Sequence, residues 1–164
     1  MIKDGLLAEF DHEVATTRRL LDRLPAGVER LAWRPHGKSM SLGGLATHIS
    51  NLPVWGATIL NASSFHLAAM PPNVPEKSSP AEILAAFDEN TQKTRAGMDR
   101  TDAEYLDRWT LKRGDQDLFS MPKVAAFRTF FMYHLVHHRG QLSVYLRLQD
   151  IPVPPIYGPT ADEG

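Results

Sequence analysis

Tyr133-His134-Leu135-Val136-His137-His138-Arg139-Gly140-Gln141-Leu142 puts three histidines within five residues, inside a longer amphipathic run. From near Pro122 to about Leu148, the residues Val124, Phe127, Phe131, His134, Leu135, His138, Gln141, Leu142 and Tyr145 recur at threes and fours, as one face of a helix requires. At 1.5 Å rise per residue, ~27 residues make a rod of about 40 Å. A rod that long, apolar on one face, needs other helices to cover it, and the rest of the chain supplies three.

The first should run from about Asp4 to Leu24. Leu6, Leu7, Phe10, Val14, Thr17, Leu21 and Leu24 form its inner stripe, and Pro25 and Gly27 stop it. His12 lies about 200° from Phe10 on the wheel and should face water. The link holding Trp33, Pro35 and Gly37 reads as an ordered connection. A second helix starts near Ser39 or Ser41, either hydroxyl serving as N-cap, with Leu42, Leu45, Ile49, Leu52, Trp55 and Ile59 inward. Gly43 and Gly44 in its first turn suit close packing, and Pro53 should kink or interrupt it. After Asn61 the stretch through Met70-Pro71-Pro72 and Pro75 reads as a surface loop.

Ser79-Pro80-Ala81-Glu82 opens the third helix with an N-cap serine, a proline at the first position and a capping-box glutamate. Ile83, Phe87, Thr91, Thr94 and Met98 make its stripe. From Asp102 to Met121 helical spacing fails; Trp109, Leu111, Leu118 and Phe119 flank Gly114-Asp115, which suits a hairpin or an extended crossover. Pro152, Pro154, Pro155 and Pro159 make the tail extended, so it must lean on the helices to be ordered. The expected fold is all-α: a four-helix bundle with long crossover loops and a Pro-rich C-terminal tail, one domain over 1–164.

Composition narrows the function. A net charge of -1 argues against a nucleic-acid partner, whose binding needs a basic surface. The absence of cysteine excludes disulfides, thiolate metal sites and a cysteine nucleophile, and fits a cytoplasmic chain. No signal-peptide pattern opens the sequence, and no apolar run approaches the ~18 residues of a membrane span.

What remains is the histidines. His134 and His138 are about 40° apart at ~100° per residue, so both imidazoles reach one point, the spacing metals take from two ligands on a helix. His48, between Leu45 and Leu52 on an inward face, is the candidate third nitrogen. Singly, such a histidine is most often a hydrogen-bonded core residue; two inward histidines four apart would repel if protonated, a conflict that a divalent cation resolves. A His134/His137 pair is also allowed geometrically, but the apolar stripe centres nearer the 134/138 edge, which leaves His137 at the boundary. Three neutral nitrogens leave positions open for water or substrate, a pattern of catalytic more than structural sites. The ion would activate a bound water or take a thiolate. Nitrogen ligation suits zinc, nickel, iron or copper and does not choose among them; the expected ion is zinc or nickel, with iron, manganese or copper as alternatives. Gln141, three residues after His138, could touch a ligand or its neighbour, and Trp55 could wall a pocket, though both positions also suit plain packing. Arg139 reads as solvated or acid-paired, and Gly140 as a place for a neighbouring helix. No carboxylate stands at an obvious distance, so no general base is named.

Leu45-Ala46-Thr47-His48-Ile49, His134-Leu135-Val136-His137-His138-Arg139-Gly140-Gln141-Leu142 and Pro155-Ile156-Tyr157-Gly158-Pro159 together resemble the DinB/YfiT-like superfamily, across most of the chain. The resemblance implies a four-helix bundle with a long crossover, a homodimer, and a divalent metal on residues matching His48, His134 and His138. It also implies thiol S-transferase or isomerase chemistry with a low-molecular-weight thiol such as bacillithiol or mycothiol, acting on a small-molecule substrate. The other expectations from the site alone are a hydrolase using metal-bound hydroxide and a non-catalytic metal sensor.

Overall fold

The computed structural model describes residues 1–69 and 74–163. Its long helices are α1 (Ile2–Leu21), α3 (Leu42–Asn61), α4 (Pro80–Ala96) and a rod over 123–148. The rod is built from α6 (Lys123–Ala126), a π-helical turn (Phe127–Met132) and α7 (Tyr133–Leu148), all continuous in right-handed helical conformation. Shorter pieces are α2 (Val28–Ala32), α5 (Asp102–Leu106), β1 (Ser64–His66), β2 (Arg108–Arg113) and β3 (Gln116–Pro122). Helix α3 packs against α4 and against the rod, and α1 packs against α4 and α7. Leu6, Phe10, Ile49, Phe87, Phe131 and Leu135 are among the side chains buried between them.

The sheet corrects the all-α expectation. β1 pairs parallel to β2, and β2 antiparallel to β3, in the order β1-β2-β3. The hairpin between β2 and β3 turns at Gly114-Asp115, where Gly114 takes φ +57, a conformation glycine adopts without steric cost. Trp109 and Leu111 point inward from β2 and are buried, while their neighbours are exposed or half-buried, the alternation of a strand with one covered face. The expected surface loop after Asn61 is in part strand β1, whose three residues are too few to show any alternation. Met70, Pro71 and Pro72 of that loop lie outside the described residues.

Local signals explain the helix starts. The Ser41 hydroxyl accepts from the Gly44 N–H, and the Ser79 hydroxyl accepts from the Glu82 N–H, so both serines cap as their sequences require. Glu82 returns its carboxylate to the N–H and hydroxyl of Ser78, one residue earlier than a standard capping box. Helix α3 runs on through Pro53. Proline crowds the carbonyls of the turn before it, and here the Asn90 amide donates to the Ser50 carbonyl at 2.9 Å while the Thr94 hydroxyl donates to the Pro53 carbonyl at 2.6 Å. These two bonds from α4 supply donors along the proline-bearing part of α3.

Close approach occurs at Gly56. A Cβ there would lie 2.7 Å from Thr94 Cγ2 and 3.0 Å from Phe131 Cδ1, so the absence of a side chain lets α3 meet α4 and the rod together. Gly43 similarly lets α3 approach Leu31 of α2. Gly140, expected to admit a helix, has nothing within 4 Å of a Cβ position. The tail beyond α7 is irregular and leans on the helices as anticipated, with Ile151 and Val153 buried.

Candidate metal centre

Helix α3 presents His48, and α7 presents His134 and His138 one turn apart. The two helices pack against each other, and one nitrogen from each imidazole lies within 4.8 Å of the other two. His48 Nε2 and His134 Nε2 are 3.4 Å apart. Two nitrogens held ~2.05 Å from one tetrahedral ion would be separated by about 3.4 Å. His138 is buried, while His48 and His134 are half-buried, so the cluster lies at the edge of the core.

The electrostatics favour lone pairs over protons. Burial pushes the His48 imidazole down to about 4, and His138 and then His134 push it the same way. Burial also lowers His134, against a hydrogen bond to the Phe130 carbonyl that raises it. His138 is lowered by burial, opposed by its bond to Gln141, with His134 and His137 adding small depressions. At neutral pH all three rings are therefore uncharged.

Gln141 fixes one of them. Its Oε1 lies 2.7 Å from His138 Nδ1; an amide oxygen only accepts, so Nδ1 carries the proton and the Nε2 lone pair is left free. Gln141 itself is exposed rather than inward, and only its amide oxygen returns to the site. His137 is exposed, its ring 4.8 Å from that of His138, and it stands outside the three-nitrogen cluster. Trp55 lies further along α3 with its ring 5.0 Å from Phe65 of β1 and 6.4 Å from Phe130 of the π turn. His12 is exposed, as expected, and stacks on Tyr157.

Arg139 is acid-paired, one of the two expectations for it, but its burial was not anticipated. It is 1% exposed and forms an ion pair with Glu13 of α1, while its other nitrogen donates to the Tyr157 hydroxyl of the tail. The signal was present: position 139 follows Leu135 by four and precedes Leu142 by three, inside the apolar stripe. Buried arginine needs a carboxylate, and Glu13 is the one that faces it.

The arrangement fits a divalent ion. Its donors are three neutral nitrogens at a spacing suited to shared ligation, one of them locked in the required tautomer. No helix among the described residues is long and apolar enough to cross a membrane.

Comparison with known proteins bears on the fold and the family. The chain is 27% identical over 162 residues to the uncharacterized protein YrdA of Bacillus subtilis, covering 98% of this chain and 90% of that one. Its fold is similar to those of DinB-like proteins solved from three bacteria. For YjoA of Bacillus subtilis the TM-score is 0.72 at 20% identity, covering 94% of this chain and 98% of that one. For a Bacillus cereus protein it is 0.72 at 21% identity, covering 94% and 97%. For an Exiguobacterium sibiricum protein it is 0.63 at 19% identity, covering 91% and 92%. The sequence matches the DinB family over residues 1–164, and the chain belongs to that family.

Proposed function

We propose that this protein is a metal-dependent S-transferase in which His48, His134 and His138 hold a divalent ion, zinc or nickel foremost. A low-molecular-weight thiol would attack a small electrophile there. The observation that carries the reading is the meeting of three uncharged imidazoles, two of them half-buried, at the edge of the core. The thiol half rests on the family resemblance. A bound divalent ion would supply Lewis-acid chemistry, lowering the pKa of a thiol or water that it contacts.

The chain's own residues do the rest. Gln141 holds the His138 ring so that Nε2 faces the cluster, and burial keeps protons off His48. The half-buried rings of His48 and His134 leave an approach from solvent. In the reaction the thiol loses its proton to solvent and a carbon–sulfur bond forms. The leaving group departs with its electron pair.

Elemental analysis of protein carrying no affinity tag, after reconstitution, should give about one ion per chain in the wild type. His138→Ala should weaken binding at least tenfold. Gln141→Ala, which removes only the partner of a ligand, should weaken it by ~10–100-fold. Consumption of a model electrophile should require both thiol and ion. Absence of metal from the reconstituted wild type would reject the site, and ester turnover without thiol would replace transfer by hydrolysis.

A further inference from the structure

Along helix α3 from His48 lies a cavity of about 340 Å³ that none of the three histidines lines. Among the described residues its walls are Asn51, Val54, Trp55 and Thr58 of α3, Phe65 of β1, Ala69 and Val74. No lysine, arginine, aspartate or glutamate lines it among the described residues. The volume falls at the small end of the ~300–1,000 Å³ typical of small-molecule pockets. Val54 and Val74 are about half exposed, so an occupant would take large apolar side chains out of water.

The cavity shares helix α3 with His48, and Trp55 in its wall packs near Phe130 of the rod. On α3, Asn51 and Trp55 follow His48 by three and seven residues, which puts all three on one face, about 4.5 Å and 10 Å along the axis. On the rod, Phe130 precedes His134 by one turn. The Phe130 ring lies 25° from parallel to Trp55. An occupant resting on Trp55 therefore has Asn51 between it and His48. Among the described residues, the Asn51 amide and Thr58 hydroxyl are the polar side-chain groups on a wall that is otherwise apolar.

We propose that this cavity seats the aromatic body of a neutral substrate, with the reacting end directed past Asn51 toward His48. Aromatic walls favour a flat ring, which stacks or meets them edge-on. A wall without charged side chains disfavours an anion, because nothing there repays the loss of its hydration. The orientation toward the histidines rests on the function proposed above; occupancy of the cavity does not.

The test is titration with 2-naphthalenemethanol and with 2-naphthoate, followed by NMR of the tryptophan indole N–H signals. The neutral alcohol should shift the Trp55 signal saturably and bind at least tenfold tighter than the carboxylate. Val54→Trp fills the cavity from a half-exposed position and should weaken the alcohol at least tenfold, with metal content unchanged. Thr58→Trp provides the same block should Val54→Trp fail to fold. Equal binding of the carboxylate, unchanged binding in the folded blocking variant, or no binding to the wild type would overturn the proposal. His138→Ala should still bind the alcohol. If it does so while wild type shows no metal or no thiol transfer, the metal–thiol reading fails and the cavity assignment stands.

Discussion

Among the titratable residues, His48 is set furthest from its ordinary behaviour for a histidine. Its imidazole is pushed to about 4, mainly by burial and then by its two histidine neighbours. The folded form thus binds fewer protons than the unfolded chain between about pH 6.5 and 4. The stability this group supports is whole above pH 6.5 and is lost as the pH falls toward 4. Imidazole NMR of the metal-free protein should place the His48 midpoint near 4, and His138→Ala should raise it by removing a neighbouring charge and loosening the burial. A wild-type midpoint at 6.5 or above would contradict this account. Sequence disclosed the three clustered histidines, because a four-residue spacing survives any uncertainty in helix boundaries. It disclosed the neighbourhood of Gln141 as well, three residues on. For Arg139 the acid partner was legible and the burial was not, since charge normally means solvent whereas its position in the stripe meant burial against Glu13.

Single helices and strands carry the next level of constraint, and Gly56 is the sharpest example. Adding a Cβ there drives it into Thr94, Phe131 and Phe127, two of them aromatic rings fixed in the core. Gly56→Ala should therefore destabilise the fold by about 1–3 kcal/mol despite its better helix propensity, read as a lower urea midpoint. An unchanged or raised midpoint would mean that the rings yield. Helices were legible wherever caps and stripes coincide, as at Ser79-Pro80 and in the run to Leu148. The short α5 carries its own start signal, although helical spacing fails there. Thr101 and Glu104 form a reciprocal capping box, a pattern visible in Thr101-Asp102-Ala103-Glu104. Strand β1 was not legible, since its pairing with β2 is decided by the distant Thr110, Leu111 and Lys112. The π turn was hidden too, because a helical wheel assumes one residue period throughout.

At the level of the whole molecule, the tail is fastened through several hydrogen bonds and ion pairs. Asp162 accepts from the Val153 N–H and pairs with Arg147, whose hydrogen bond is the main cause of its carboxyl falling to about 2. Arg23 holds Glu163, and Tyr157 bonds both Arg139 and Glu13. The solvent-screened pairs Arg18–Asp88, Arg95–Asp11 and Arg128–Glu9 tie α1 to α4 and the rod, and each contributes little. The Arg139–Glu13 pair is different, because removing the arginine strands a carboxylate that is only 14% exposed. Arg139→Ala should cost about 3–5 kcal/mol in urea unfolding. Tyr157→Phe should cost about 1 kcal/mol and speed protease cleavage in the tail. Equal losses from both substitutions would show that tail docking, not the buried ion pair, sets the stability. The buried cluster also has an implication for biosynthesis. Glu13 leaves the ribosome 126 residues ahead of Arg139 and 144 ahead of Tyr157, and sequence-distant partners make for slow assembly. The first helix must wait, its carboxylate unmatched, until the segments bearing Arg139 and Tyr157 have been made.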